Sequence, residues 1–237
     1  MTYNVHGFIG TDRVYDPERV ARVIELSKAS VIALQEVDFG RGPSFEPAAV
    51  ERLARRLGMH SHFTFARDGK NGHFGNAVLS PFALRLVAEG PLPRHRDEGR
   101  AVQWLEISSP AYQLHLINTH LSVRRDERKR QVRALLGAEW MAKAEKQVPL
   151  VVCGDLNASP FSGVYRTLGR QLVDVQRGSS LRRATWPSRL PFWRIDHMFV
   201  GPGISVDSCR VVDDGLARVA SDHLPLVADL SFEEPTA

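Results

Sequence analysis

Little in this chain is in excess. Its 237 residues hold only two cysteines, no apolar run near the roughly 20 residues a membrane helix needs, and no low-complexity segment or linker. The longest apolar stretches are short, such as Val148 to Cys153 around Pro149. Hydrophobic residues make up 43%, charged residues 24% and aromatics 8%, which excludes a disordered, collagen-like or coiled-coil chain. Cys153 and Cys209 each sit in an apolar, strand-like run, and neither has a partner at zinc-site spacing. That pattern favours two buried thiols over a disulfide, and a disulfide over a metal site.

Charge of one sign is scarce too. Lys plus Arg is 31 and Asp plus Glu 27, a net charge of +4. This mild excess suits a phosphate-bearing partner and equally suits plain solubility. The start, Met1-Thr2-Tyr3-Asn4-Val5-His6, has no basic n-region and no apolar h-region, so it reads as lacking a signal peptide and predicts a cytoplasmic protein. A strand pattern begins with hardly any lead-in, which leaves a clipped start and a lost export signal open.

Strand-like and helix-like segments alternate, an α/β signature. A short strand spans about Thr2 to Val5. Asp16-Pro17-Glu18 predicts a helix start, since Asp caps and Pro suits the first helical position. Val20, Val23, Ile24 and Leu26 form its expected buried stripe. Val31 to Gln35 reads as a buried strand. The loop Gly40-Arg41-Gly42-Pro43 leads to a helix from about Pro47 to Leu57, ended by Gly58. Five strands follow, within His62–Phe65, Asn76–Leu79, Leu84–Val87, Val102–Ile107 and Leu114–Asn118. A long helix is predicted from about Arg125 to Lys146, a strand from Val148 to Cys153, and a short helix from Phe161 to Leu168. Three strands, Ile195 to Val200, Ile204 to Val212 and Leu224 to Leu230, close the chain. Adjacent strands without helices between them argue against a plain doubly wound sheet. Two packed mixed β-sheets flanked by helices, a four-layer α/β sandwich in a single domain over residues 1–237, fit better.

Polar and acidic residues recur where apolar strands stop. Asn4 ends the first strand, and Gln35-Glu36 the second. Asn118-Thr119-His120 and Gly154-Asp155-Leu156-Asn157 end two more. Asp196-His197 lies inside an apolar strand, and Ser221-Asp222-His223 precedes another. Any one of these fits a turn. Six in one chain predict a ligand site on one rim. Carboxylates gathered without thiols suit a hard ion such as Mg²⁺ or Mn²⁺. Histidines beside them suit a phosphoryl oxygen.

In order, Tyr3-Asn4-Val5-His6-Gly7, Leu34-Gln35-Glu36-Val37-Asp38, Gly75-Asn76-Ala77-Val78-Leu79-Ser80, Asn118-Thr119-His120-Leu121, Gly154-Asp155-Leu156-Asn157-Ala158-Ser159-Pro160, Arg194-Ile195-Asp196-His197 and Ser221-Asp222-His223-Leu224-Pro225 resemble the motif set of the endonuclease/exonuclease/phosphatase superfamily. The resemblance spans residues 3 to 225. It implies the four-layer sandwich, a divalent metal and hydrolysis of a phosphate ester. By motif, Glu36 matches the main metal ligand, with Asn4 as ligand or support and Asp222 as a further metal-side carboxylate. Asp155 matches the residue that activates the attacking water, with Asn157 donating to the phosphate or holding the nucleophile. His223 and His120 match two phosphate-contacting histidines, expected as imidazolium donors. Asp196 matches the acid that orients His223 and raises its pKa.

Other residues keep a plainer reading. His6, His60, His62, His73, His95 and His115 have no motif support and read as structural or loop histidines. His197 stands where relatives carry an aromatic, so it reads as packing. Arg100 and Asn76 are assigned to substrate binding at the rim, with a surface ion pair as the alternative for Arg100. The basic run Arg124 to Arg133 reads as an exposed, charge-interleaved helix face before it reads as a nucleic-acid or lipid contact. Arg182-Arg183 and the aromatics Trp186, Phe192 and Trp193 suit either substrate recognition or packing of their loop.

The chain departs from the abasic-site endonuclease branch, where Gln-Glu is followed by Thr-Lys rather than Val37-Asp38. It lacks the paired cysteines of secreted deoxyribonucleases and the arginine motifs of inositol-polyphosphate phosphatases. The expected activity is a divalent-metal-dependent phosphodiesterase or phosphatase. A sequence-tolerant DNA or RNA nuclease is the alternative, and a non-catalytic binding module the second. Nucleic acid and anionic lipid stay open as partners, and no obligate protein partner is implied.

Overall fold

A computed structural model describes residues 1–39, 48–69, 72–95, 99–141, 148–177 and 183–232. The chain opens with β1 (Thr2–Asn4) and a 3-10 turn (His6–Phe8). Helix α1 (Pro17–Ser27), β2 (Ile32–Phe39), α2 (Ala48–Leu57), β3 (His60–Gly69), β4 (Gly72–Ser80) and β5 (Ala83–Pro91) follow. The middle contains β6 (Ala101–Ser108), β7 (Gln113–His120), α3 (Arg125–Leu135), β8 (Leu150–Asp155) and α4 (Gly163–Leu168). Then come β9 (Val173–Asp174), β10 (Asp196–Val200), β11 (Ile204–Val211), α5 (Ala217–Ala220) and β12 (Leu226–Phe232).

The strands form two mixed six-stranded sheets, ordered β11-β12-β1-β2-β4-β3 and β5-β6-β7-β8-β10-β9. Side-chain alternation explains their stacking. In the second sheet, Leu114, Leu116, Val151, Cys153, Met198 and Val200 pack into the cluster shared with the first sheet. Ile117, Val152 and Phe199, one residue out of phase, pack outward with Val132 and Leu135 of α3 and Val164 and Leu168 of α4. Val20, Val23 and Ile24 of α1 and Val50 and Leu53 of α2 cover the first sheet. The layers are therefore helix, sheet, sheet, helix, as the strand pattern predicts. Each fully buried aliphatic side chain contributes about 1.5–3 kcal/mol by leaving water.

Between the sheets lies a polar bridge. Gln35 Nε2 of β2 donates to Asn118 Oδ1 of β7 at 2.8 Å. Asn118 Nδ2 donates back to Leu34 O at 3.0 Å and Ala77 O at 3.1 Å, both in the first sheet. Both amides are buried, so removing either partner would leave an unpaired group at a cost of about 1–3 kcal/mol.

The starts predicted at Pro17 and Arg125 hold, while the short helix predicted from Phe161 begins at Gly163. Asp16 caps α1, accepting from Arg19 N at 3.0 Å, with Pro17 at the first position. Other details differ, among them α5 (Ala217–Ala220), which the sequence did not predict. Leu26 is 65% exposed and Ala21 takes its place in the buried stripe. Helix α3 stops at Leu135 rather than running to Lys146; the Gly137 N–H turns back to Ala134 O at 2.9 Å, the weak helix propensity of glycine allowing the break. Residues 142–147 lie outside the described residues, as do the loop 40–47, with its Gly40-Arg41-Gly42-Pro43 and Pro47, and Arg182. The two-residue β9 was not legible. Both cysteines are free thiols; Cys153 is buried, and burial pushes its pKa up to about 11.

Candidate active site

Three strand ends bring three side chains into one row. His120 of β7 pairs in register with Asp155 of β8, and Asp155 with Asp196 of β10. Alternation counted from the inward Leu116, Cys153 and Met198 sends all three toward the first sheet at the same rim. Gly154 makes the approach possible. Its φ is 142°, and a Cβ there would meet Thr119 O at 1.7 Å, so only glycine fits beside β7.

The first sheet supplies the facing residues. Asn4 donates from Nδ2 to Asp155 Oδ2 at 3.1 Å, while its Oδ1 accepts from His6 N at 3.0 Å. Glu36 reaches the rim through a bulge. The β2–β4 register shifts between Leu34 and Val37, and Glu36 has φ 52°. A regular strand would turn Gln35 and Glu36 to opposite faces; the bulge aims both at the second sheet. The left-handed residue costs about 1–2 kcal/mol. Glu36 Oε1 ends 3.8 Å from His120 Nδ1.

A loop and the segment before β12 close the site. His223 Nδ1 lies 2.9 Å from Asp196 Oδ2, which also accepts from Thr185 Oγ1 at 2.5 Å. His223 Nε2 is 3.7 Å from Asp155 Oδ2 and 4.0 Å from Asp222 Oδ1. Asp222 Oδ2 accepts from Trp186 Nε1 at 3.2 Å. Ser221 Oγ donates to Asn4 O at 2.8 Å and ties this segment to β1. Asn157, left-handed at φ 47°, points Nδ2 at Leu121 O (3.0 Å) and toward His120 Nε2 (3.1 Å).

Two histidines in one site carry different charges. For His223, burial opposes the proton, but the Asp196 carboxylate in contact outweighs it, with Asp155 and Asp222 adding, and the pKa rises to about 10. For His120, burial comes first, and the charges of Arg100 and His223 also push its pKa well below the ordinary value. Arg100 Nη1 sits 2.7 Å from His120 Nδ1 and 3.0 Å from Nε2. The expected pair of imidazolium donors is thus one imidazolium, His223, and one neutral imidazole beside a guanidinium. Burial raises the Asp155 carboxyl, and the neighbouring Asp196 charge raises it further.

Asn76 is buried and donates to Ala101 O at 3.0 Å, joining β4 to β6 at the same rim. It lines a cleft of about 240 Å³ with Glu36, Arg100 and His120. His6, set aside in the sequence, lines that cleft too and lies 3.9 Å from Asp222 Oδ1. A second cleft of about 660 Å³ contains Asp155, Asn157 and His223, together with Trp186, Trp193 and Phe161. Arg125, Arg128 and Lys129 of α3 also line it, so the basic run is not only an outer helix face. His197 faces the other way. It is buried, its Nε2 is 2.7 Å from Ala158 O, and it packs against Tyr165 and Phe199. His62 pairs with Glu89, and His115 lies beside Trp104 and Glu106, away from the rim. Thr185, which shares Asp196 with His223, had no signal in the sequence: it comes from a loop, with no periodic pattern to place it.

The donor set fits a hard cation. Glu36 offers a cleft-facing carboxylate, and Asp222 Oδ1 is buried without a hydrogen-bond partner. Asp155, Asp196 and His223 also have ligand atoms within 4.8 Å of one another. Their contacts with each other, led by His223 Nδ1 on Asp196, make that trio a proton-holding cluster rather than the first place for an ion.

The rim of this two-sheet α/β sandwich gathers carboxylates, histidines and the Arg100 guanidinium around one cleft. The chain belongs to the Endonuclease/Exonuclease/phosphatase family, whose model matches residues 1–223. Members of this family are hydrolases acting on phosphate esters, generally with divalent metals. Among solved structures, it is similar to an endonuclease/exonuclease/phosphatase from Beutenbergia cavernae, at 23% identity and TM-score 0.78 over 98% of this chain and 70% of that one. It is also similar to a mannosyl-6-phosphatase of Bacteroides thetaiotaomicron, at 17% identity and TM-score 0.75 over 98% of both chains. The human Nocturnin catalytic domain, solved with a bound sulfate anion, shares 23% identity and a TM-score of 0.72 over 97% of this chain and 91% of that one. A comparison with curated proteins finds no sequence match.

Proposed function

We propose that this protein hydrolyses phosphate esters, as a phosphodiesterase or phosphatase dependent on Mg²⁺ or Mn²⁺. One observation carries the reading. Asp155 Oδ2 lies 3.1 Å from Asn4 Nδ2, 3.3 Å from His120 Nε2 and 3.7 Å from His223 Nε2, at the floor of an open cleft. A carboxylate so placed, with a raised pKa, suits a general base.

Glu36 and Asp222 would hold the cation, with Asn4 supporting them. When bound, it supplies positive charge to a phosphate oxygen. The chain's own residues do the rest. Asp155 takes a proton from water as the water oxygen bonds to phosphorus. One P–O ester bond breaks, and the departing oxygen receives the proton that Asp155 took, passed on through water, giving an alcohol and a phosphate with one ester bond fewer. His223, kept charged by Asp196, donates to a phosphoryl oxygen, and Arg100 adds a second fixed positive charge. Asn157 positions the phosphate or the water. Asn76 shapes the wall beside Arg100.

The test is turnover of bis(p-nitrophenyl) phosphate by the purified protein with Mg²⁺ or Mn²⁺. The expected result is hydrolysis that EDTA abolishes and that Asp155→Ala lowers by about 10²–10⁴. No turnover with either metal would favour a binding module without chemistry. The cationic wall Arg125, Arg128 and Lys129 supports the second reading, a sequence-tolerant nuclease using the same residues.

A further inference from the structure

Around the mouth of the larger cleft the chain leaves big apolar side chains in water. Phe161 is 87% exposed, Val123 62% and Trp193 48%, and all three line that cleft. Beside Trp193, on a hairpin closed by the Trp186–Trp193 bridge, Leu190 is 74% exposed and Phe192 62%. The hairpin is firmly held. Ser188 is buried, its N–H donating to Asp222 O at 2.7 Å and its hydroxyl to Ser221 O at 2.6 Å, and Trp193 N donates to Trp186 O at 2.8 Å. A polar residue of this loop is taken inside while Leu190 and Phe192 are turned to solvent, the reverse of what burial of apolar area favours. Apolar surface held out in this way marks an interaction face. Cations stand among these side chains. Arg125 and Lys129 of α3 and Arg166 of α4 line the same cleft, while its carboxylates, Glu36 and Asp155, lie with the reacting groups.

We propose that this rim docks on an anionic lipid surface, with Phe161, Leu190 and Trp193 entering the boundary between headgroups and acyl chains and Arg125, Lys129 and Arg166 meeting the lipid phosphates. Each part of the rim answers to one layer of such a surface. Aliphatic and aromatic side chains gain by leaving water at the acyl boundary, tryptophan by seating its ring at headgroup level, and arginine and lysine by the negative surface potential. A nucleic-acid strand would use the cations and stack on the rings, but Leu190 and Val123 have no ring face to offer a base and would stay wet. None of these contacts uses Glu36, Asp155 or His223, so the docking is independent of the hydrolase reading.

The experiment is co-sedimentation of the full chain with phosphatidylcholine vesicles, with and without phosphatidylglycerol, alongside binding to a single-stranded oligonucleotide. Binding to the anionic vesicles is expected to be about tenfold or more tighter than to the neutral ones. Brominated acyl chains should quench tryptophan fluorescence, less so in Trp193→Phe. Leu190→Ser should weaken vesicle binding about fivefold or more with the thermal midpoint unchanged, since so exposed a side chain supports little packing. Arg125→Ala with Lys129→Ala should also weaken it about fivefold or more. Binding to neither vesicle, equal affinity for the two, or vesicle binding that either Leu190→Ser or the double variant leaves unchanged would overturn the proposal. Oligonucleotide binding without vesicle binding would overturn it too, and would assign the rim to nucleic acid.

Discussion

His120 and Asp155 stand directly opposite each other on the parallel strands β7 and β8, with Nε2 3.3 Å from Oδ2. Burial disfavours the charged form of both: it pushes the imidazole's pKa well below its ordinary value and raises the carboxyl's to about 7, where a base can take up and return a proton. Positive charge stands beside them on His223 and Arg100, and on Arg125, Arg128 and Lys129 farther along the cleft.

His223 should be the working cation. His223→Ala should reduce kcat by about 10² or more, as loss of one charge-stabilising donor does, with a lowered thermal midpoint because Asp196 is left buried without its charged partner. Equal kcat in the variant would remove His223 from the mechanism.

Asp196→Asn tests the origin of that charge. A histidine raised to about 10 stays protonated up to that pH and loses its proton only above it. Without the Asp196 carboxylate, burial is less opposed and the pKa falls. The basic limb of the kcat profile should move to lower pH, so activity at pH 8 drops while part of it survives near pH 6. A limb that stays in place would show that Asp196 does not set the charge.

Glu36→Gln should raise the Mg²⁺ concentration for half-maximal activity by tenfold or more, about 1.4 kcal/mol of ion affinity. Metal titrations by activity and by calorimetry would check this; superimposable curves would take Glu36 off the ligand list.

Gly154→Ala should unfold the protein or lower its stability by more than about 3 kcal/mol. The added methyl would strike the Thr119 carbonyl, and a left-handed φ adds its own strain. A thermal midpoint within a few degrees of the native value would show that β7 and β8 can part.

Salt dependence separates the two catalytic readings. A nuclease using Arg125, Arg128 and Lys129 on a strand's phosphates should lose affinity steeply with salt, and Arg125→Ala with Lys129→Ala should flatten that slope by about 1–2. A hydrolase of a small ester should show a shallow slope that the double variant barely changes.

Much of this was legible in the sequence because apolar runs stop where chemistry begins. His120, Asp155 and Asp196 end or begin apolar strands, and once those strands are in register their parity aims all three at one rim. Glu36 was found through its motif, not its direction: strict alternation would aim it away from the facing sheet, and only the bulge reverses that. Thr185 and His6 sit in loops, where no period exists to place a side chain. The reach of α3 into the cleft was hidden for a different reason. Arg125, Arg128 and Lys129 share one face by their i, i+3 and i+4 spacing in a run where acids interleave, and nothing local says that this face looks at Asp155. The end of that helix before Gly137 was not read from the sequence.

The Gln35–Asn118 contact has a mechanical consequence. One sheet contributes Asn4 and Glu36, the other His120, Asp155 and Asp196, and the buried amide contacts behind the cleft fix one half against the other. The paired amides act as a dowel: slippage of one layer over its neighbour by even one residue would break their hydrogen bonds and separate the ion-holding half from the water-orienting half. Alignment of the reacting groups is therefore secured several ångströms behind them, by side chains that never meet the substrate.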